Sequence, residues 1–532
     1  MNRLAEICML AHGWRRQLIL ILGGAVSALS MPPLFLLPLL FVGMPVWVWC
    51  LDGAERRRGF WGRMFGPAFS IGFAFGLGYF LVAIHWIGAA FFVDGGWVLA
   101  AMPFAVLALA AVLALFWGFA SSFAHMLWSA GAMRVVALAV MLTIAEFARG
   151  HLLTGFPFDL LGYALTANAQ MMQLASIIGI YGLTLLAALL AVLPALIWPR
   201  DERGLTRRLV PFFTIIVVLA GQIVWGQYRL DTIITAPIER IKLRLVQPAI
   251  AQSVKWQADS REFVMERLLS LSETRLTPDD PGLAGVSQLI WPESAMPFYL
   301  AEQPDELARI GRMLAGDTVL VTGAPRREYG TGTPEASFNS ILMINADGEL
   351  VTRYDKTHLV PIGEYLPFKA LFRQLGFTQF VPGAEGWSAG DSRRLMAGPV
   401  GPAFLPLICY EAIFSGDLGA DITEAGYLLN LTNDGWFDGS IGGAQHFHHA
   451  RLRAVEEGRA LVRVANTGTT ALVDPLGRIT AMVQPGAVGV ADVVPDQPLA
   501  MTLFAQYRHW PLLAVLLFGL LAVIVRRRFA GE

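Results

Sequence analysis

Long apolar runs constrain this chain more than any other feature: they recur at about 17–31, 34–51, 66–92, 97–121, 133–148, 172–197, 209–226 and 510–525. Runs of this order suit α-helices crossing a hydrocarbon core ~30 Å thick, because a helix satisfies its own backbone polar groups where no water can. The mean hydropathy of +0.54 and the apolar content of 55% point the same way, being too high for an ordinary soluble protein. The expectation is a multi-span α-helical membrane domain of about eight helices, seven before residue 230 and one within 505–532.

Arg and Lys in short connections set the expected orientation, since cationic loops resist translocation. Arg15 and Arg16 precede the first run, Arg56, Arg57, Arg58 and Arg63 follow the second, Arg134 follows the fourth, Arg200, Arg203, Arg207 and Arg208 follow the sixth, and Arg526, Arg527 and Arg528 follow the last. With eight crossings all of these fall on one side, and the opposite connections hold only Arg149. The first apolar segment lacks a small-residue cleavage pattern and reads as a retained anchor. Net charge is −1, which gives no global field for nucleic acid. His85 and Glu146 are the notable ionisable residues within the runs, and both are read as interfacial or structural groups. No internal repeat stands out, which weakens a transporter reading.

Between the seventh and last runs, residues 238–500 have mixed composition and read as one α/β domain, entered after an odd number of crossings and so placed on the outer side. The segments IKLRLVQP, SQLIWPES, TVLVTGAP, SILMINADG, PLICYEAIF, YLLNLTND and VRVANTGTTALVD have strand length and alternate with helical stretches such as 261–276 and 443–458. Buried sheets between helices produce that pattern. Several of the strands end in polar residues, where open α/β sheets place their ligands.

Three strand ends carry a carboxylate, an amine and a thiol: Glu293 in WPES, Lys356 in YDKTHL and Cys409 in PLICYE. A thiol becomes a strong nucleophile as its thiolate, which needs a base or a nearby positive charge. Glu293 can take the proton, and Lys356 can stabilise the thiolate and then an oxyanion. Taken singly, Cys409 reads as a packed core residue and the two charges as solvated loop groups. The other cysteines, Cys8 and Cys50, lie in the opposite compartment and offer neither a disulfide partner nor a metal-ligand spacing.

At these residues the chain resembles the nitrilase, or carbon–nitrogen hydrolase, superfamily, whose members carry Glu, Lys and Cys in this order at strand ends. GEYLP, CYE and NLTNDGWF followed by QHFHHARLRAVEEGR, on a multi-span base, resemble its apolipoprotein N-acyltransferase branch over nearly the full chain. The resemblance implies an extracytoplasmic αββα sandwich and a bacterial inner-membrane enzyme working as a monomer without cofactor or metal. It also implies transfer of an acyl chain from a phospholipid, through a Cys409 thioester, to the N-terminal amine of a diacylglyceryl-cysteine lipoprotein. Glu364 and Glu411 fall on the family's supporting carboxylates, Tyr410 sits beside the nucleophile, and Trp256 falls on an aromatic position of the substrate pocket. Two other activities share parts of this pattern: a membrane-tethered amidase with water as acceptor, and a non-catalytic transporter or receptor for which Cys409 would be dispensable.

Both implied substrates are lipid-anchored, and drawing acyl chains into water costs about 0.8 kcal/mol per methylene, so a membrane base suits the chemistry. The apolar stretches 296–300 and 368–387, the latter with Phe372, Phe377 and Phe380, read as interfacial arms that guide acyl chains to Cys409. The helix carrying Gln445, His446, His448, His449 and Arg451 reads as structural or substrate-contacting rather than as a metal site, because no carboxylate or thiol pattern completes it.

Overall fold

A computed structural model gives the fold and describes residues 2–129, 131–198, 205–257, 259–330, 334–365, 374 and 386–529. The chain divides into two compact units, Met1–Ile233 with Leu503–Glu532, and Ile234–Thr502.

The first unit is helical. Among the described residues five helices are long and apolar enough to cross a membrane: Phe60–Ala83, Leu99–Met126, Met133–Thr154, Ala175–Leu196 and Leu209–Thr232. The first two apolar runs form helices of 16 residues, Gly13–Ala28 and Leu37–Asp52, about 24 Å long at 1.5 Å per residue and so short of a ~30 Å core. The last run forms Trp510–Phe529, ending in Arg526, Arg527 and Arg528. Length and composition thus support these five crossings among the described residues, and Trp510–Phe529, at 20 residues, is also about 30 Å long.

Small residues let these helices approach closely: a Cβ on Gly24 would lie 1.9 Å from the Phe75 carbonyl oxygen. Aromatic rings fill the rest, with Trp47 stacked on Phe75 at 4.9 Å and on Trp117 at 5.3 Å. Glu146 is fully buried and structural, as expected. It accepts hydrogen bonds from Trp117 Nε1 at 2.7 Å and from Arg149 Nε at 2.8 Å and Nη2 at 2.7 Å, while Arg149 Nη1 reaches the Phe158 carbonyl at 2.9 Å. His85 is exposed, its Nδ1 2.8 Å from the Val82 carbonyl. Cys8 and Cys50 are both buried free thiols, joined by a hydrogen bond.

The second unit holds two sheets. One has the order β11-β1-β2-β3-β4-β5, formed by β1 (Leu243–Gln247), β2 (Gln288–Ile290), β3 (Val319–Tyr329), β4 (Pro334–Ile344), β5 (Leu350–Asp355) and β11 (Gly489–Val493). The other has the order β10-β9-β8-β7-β6, formed by β6 (Phe404–Ile408), β7 (Tyr427–Thr432), β8 (Ala460–Ala465), β9 (Thr470–Val473) and β10 (Ile479–Val483). Strands β1, β2 and β3 are parallel to one another, as are β6, β7 and β8.

The period of two in each strand builds three apolar layers. Leu243, Leu245, Ile290, Val319, Val321, Ile341 and Met343 pack against Phe404, Ile408, Leu429, Leu431, Val462 and Val464 in the space between the sheets. Their neighbours Leu289, Leu320 and Leu342 face outward onto the helices Ser260–Ser272 and Pro304–Met313, whose Val264, Leu268 and Ile310 share that layer. Leu405, Leu407, Leu428 and Leu461 face the helix Gly442–Glu457, which contributes Ala450 and Ala454. The result is a four-layer αββα sandwich, the fold expected from the sequence.

One stretch departs from expectation. Met296 and Leu300 are fully buried in the outer layer, Phe298 packs against it beneath the Arg261 guanidinium at 4.3 Å, and Tyr299 stacks under Arg327 at 3.8 Å. Residues 296–300 are core, not an interfacial arm, because burying those side chains against the two helices gains more than exposing them. Phe372, Phe377 and Phe380, the other expected arm, lie outside the described residues.

Arg244 on β1 points outward but is fully buried: its Nε and Nη2 lie 2.7 and 2.9 Å from the Asp492 oxygens, Nη2 lies 3.0 Å from Asp280, and Nη1 bonds the carbonyls of Ser272 and Thr274. This ties β1, β11 and the end of the helix Ser260–Ser272 together. Arg244→Ala takes the guanidinium from Asp280 and leaves Asp492 with Lys242 alone, at 2.7 Å, so thermal or denaturant unfolding of the full chain in detergent should register a lowered midpoint.

Candidate active site

The site forms where parallel strands of both sheets end. Glu293 lies three residues beyond β2, Lys356 directly follows β5, and Cys409 directly follows β6. Cys409 has φ +49° and Ser294 φ +46°, conformations that side chains rarely adopt, so both loops turn sharply as they leave their strands. Gly323 lets the Glu293 turn fit, since a Cβ there would lie 2.5 Å from the Glu293 Cα.

The three expected residues meet. The Cys409 thiol hydrogen-bonds to the Glu293 carboxylate, and Lys356 acts electrostatically on both. Lys356 Nζ donates to Glu364 Oε1 at 2.9 Å and lies 2.8 Å from Oε2, and Val360 N donates to Oε2 at 2.8 Å. Glu364 thereby fixes the ammonium in place. Asn339 Nδ2 bridges the two carboxylates, donating to Glu293 Oε1 at 2.8 Å and to Glu364 Oε1 at 3.1 Å.

Glu411 is fully buried and makes its contacts with the loops around the site. Its Oε1 accepts from Tyr354 OH at 2.6 Å, Thr357 Oγ1 at 2.9 Å, Thr357 N at 3.0 Å, His358 N at 3.1 Å and Arg393 Nη2 at 3.1 Å, and its Oε2 accepts from Ile408 N at 2.7 Å. It clamps the loop after Lys356 to the turn that presents Cys409. Burial works against its charge, but Arg393 and Tyr354 hold its pKa below the usual carboxylate range. Tyr410 is buried edge-on to Phe414 at 5.0 Å, and Phe414 stacks on His358 at 3.8 Å. Trp256 caps a short helical turn, Gln252–Lys255, in the loop after β1.

Electrostatics decide how the thiol is held. Burial raises the Glu293 pKa; Lys356 pulls it down and Glu364 pushes it up. Burial also raises the Cys409 pKa, with the Glu293 charge adding to it and Lys356 opposing. For Lys356, burial disfavours the charge, yet Glu364 and then Glu293 outweigh it and raise the pKa. Cys409 thus stands beside a carboxylate and a fixed ammonium, with burial and the Glu293 charge opposing the thiolate and Lys356 favouring it.

Asn339, Asp434, Arg463 and Lys255 escaped the sequence reading, which placed His446 on a helix read as structural or substrate-contacting. His446 lies with Nε2 3.0 Å from the Cys409 carbonyl and Nδ1 2.8 Å from Asp434 Oδ1, and Arg463 Nη2 donates to Asp434 Oδ2 at 2.8 Å. Burial opposes the Asp434 charge, but Arg463 and His446 lower its pKa well below the ordinary value. This chain of contacts steadies the Cys409 backbone and gives one of the clustered histidines a structural partner. Asn339 carried a faint signal, an amide in the strand that ends in the apolar run ILMI. Lys255 carried none beyond its place in QSVKW.

Residues 242–497 match the family described as carbon-nitrogen hydrolase, and residues 23–193 match the family described as apolipoprotein N-acyltransferase N-terminal domain. A protein of Rhodopseudomonas palustris named apolipoprotein N-acyltransferase is 41% identical over 100% of this chain and 99% of its own. The chain belongs to the apolipoprotein N-acyltransferase family. Relatives of the same name in Bradyrhizobium diazoefficiens, at 41% identity over 100% of this chain and 98% of theirs, and in Brucella suis, at 39% over 99% of each, extend the match. Its two family domains, a helical N-terminal part and a nitrilase-like sandwich, correspond to the pairing expected from the sequence, and the apolar helices make it a membrane protein.

The charges around Cys409 make a prediction with opposite signs. Removing the negative neighbour in Glu293→Gln should move the midpoint of Cys409 alkylation by iodoacetamide to lower pH, whereas Lys356→Met should move it higher. Alkylation followed against pH by mass spectrometry checks both; shifts in the same direction would contradict this electrostatic account.

Proposed function

We propose that this protein is an apolipoprotein N-acyltransferase acting by two half-reactions through Cys409. The observation that carries the reading is the contact of the Cys409 thiol with Glu293, beside an ammonium that Glu364 holds in place, in a chain of this family. In the first half-reaction Glu293 takes the thiol proton as sulfur attacks an acyl ester of a membrane phospholipid. The carbonyl oxygen becomes an oxyanion facing Lys356. Collapse breaks the ester C–O bond, Glu293 returns the proton to the leaving oxygen, and a lysophospholipid departs from an acyl thioester.

In the second half-reaction the N-terminal amine of a diacylglyceryl-cysteine lipoprotein attacks the thioester and gives its proton to Glu293. The second oxyanion again faces Lys356, the C–S bond breaks, and the thiolate recovers the proton from Glu293. The products are an N-acylated lipoprotein and free Cys409. Proton transfer concerted with attack suits a thiol whose pKa is raised, because no standing thiolate is required. Glu411 serves by holding the two loops and Glu364 by aiming Lys356. Tyr410 and Trp256 shape the pocket. The protein works as a monomer without a cofactor, in the bacterial inner membrane, with the sandwich facing the periplasm.

Intact mass spectrometry after incubation with phosphatidylethanolamine vesicles tests the first half. Wild type should gain one fatty-acyl mass, labile to hydroxylamine, and Cys409→Ala should not; an unmodified wild type would overturn the reading. The pH profile tests the base. Since Glu293 must be ionised to accept the proton and its pKa is raised, acylation should fail on acidification at a pH above the ~4.3 of an ordinary glutamate, and an acid limb at or below that value would exclude Glu293 as the base.

A further inference from the structure

The loop after β1 leaves three hydrogen-bond donors unused. Lys255 Nζ, Gln252 Nε2 and Trp256 Nε1 are all buried, and none has a hydrogen-bond partner among the described residues. Lys255 is 1% exposed and Gln252 3%. Buried polar atoms in folded proteins are nearly always bonded, so three orphans within five residues of one turn call for an acceptor from outside the protein.

The loop itself is firmly held. Asn466 Nδ2 donates to the Ile250 carbonyl at 2.8 Å and to Asn433 Oδ1 at 3.1 Å, Asn466 Oδ1 accepts from Ile250 N at 3.2 Å, and Asn433 Nδ2 donates to Gln252 Oε1 at 3.0 Å. Gln252 thus has its acceptor engaged and only its donor unsatisfied. The turn also belongs to the site: Lys255 acts electrostatically on Glu293, but the hydrogen bonds of Glu293 come from Asn339 and Cys409. Burial pushes the Lys255 pKa down to about 8, with Glu293 resisting, so the ammonium is kept at neutral pH but poorly compensated. A ligand for this turn must bring acceptors and negative charge.

We propose that Lys255, Gln252 and Trp256 form the binding site for the phosphodiester of the acyl donor. This rests on the function proposed above. The phosphorus of a glycerophospholipid is five or six bonds from its acyl carbonyl carbons, a reach of at most about 7 Å at ~3.5 Å per three bonds. A phosphodiester held on this turn would anchor the lipid while its ester carbonyl meets Cys409. Its oxygens are all acceptors, as the three donors require. Lys255 is on this account a binding residue that selects phosphate-bearing donors, and takes no part in proton transfer.

The test compares two acyl donors on the full chain in detergent: phosphatidylethanolamine, and the p-nitrophenyl ester of the same fatty acid, which has the scissile ester but no phosphate. Thioester formation by wild type with phosphatidylethanolamine is the control for the function itself, and its failure would sink that reading first. Lys255→Met should weaken use of phosphatidylethanolamine about 10–100-fold, the worth of a charge-assisted hydrogen bond, and at least tenfold more than use of the p-nitrophenyl ester. Lys255→Arg should recover part of the loss, and Gln252→Leu should show the same donor bias if Lys255→Met does not fold. Equal losses on both donors would mean that Lys255 acts through Glu293, and a loss confined to transfer onto a diacylglyceryl peptide would give the turn to the acceptor; either overturns the proposal. Inorganic phosphate should not inhibit the p-nitrophenyl reaction, and inhibition by it that vanishes in Lys255→Met would assign the site to a free anion instead.

Discussion

One buried carboxylate organises the catalytic half of this protein. Glu411 gathers donors from Tyr354, Thr357, His358 and Arg393 on one side and from the backbone of Ile408 on the other. Lys356 comes from a strand of one sheet and Cys409 from a strand of the other, and the sheets meet mainly through apolar side chains, which fix separation but not the register of loops. The non-directional packing of Leu, Ile and Val cannot hold an ammonium at a set distance from a sulfur. A charge accepting four donors from Tyr354, Thr357 and His358, one from Arg393 and one from the turn of Cys409 can.

The same logic of compensated burial runs through both units. Glu146 in the helical unit is satisfied by Trp117 and Arg149, and Arg244 in the sandwich by Asp492 and Asp280. Asp434 is held by Arg463 and His446, and Lys356 by Glu364. Each of these buried charges has an opposite charge and hydrogen bonds that offset the lost hydration. Against that background Lys255 is an exception, a buried ammonium that feels the Glu293 charge but has no hydrogen-bond partner among the described residues. Exceptions of this kind mark places where a substrate completes the structure.

Apolar patterning made the broad architecture legible. The period of two in LRLVQ, SILMI and YLLNLT encodes which residues enter the central layer, and the structure places Leu243, Ile341 and Leu429 there accordingly. Strands with exposed or half-exposed faces gave weaker signals: β10 was missed, and β5 was marked only by Lys356 at its end. The stretch 296–300 misled because apolar residues in a connection look alike whether they face lipid or the outer helices.

The sequence by itself determined that helices form an apolar membrane base, that an α/β sandwich follows, and that Glu293, Lys356 and Cys409 stand at strand ends, because periodicity and local residue chemistry are written in contiguous segments. Only the tertiary structure decided that Asn339 joins two carboxylates, that His446 steadies the Cys409 backbone, that burial and the Glu293 charge oppose ionisation of the thiol, and that Lys255 comes near Glu293 without a hydrogen bond. Those facts depend on distances between segments well separated in the chain and on how much water each group has lost, and neither quantity exists until the sheets have packed.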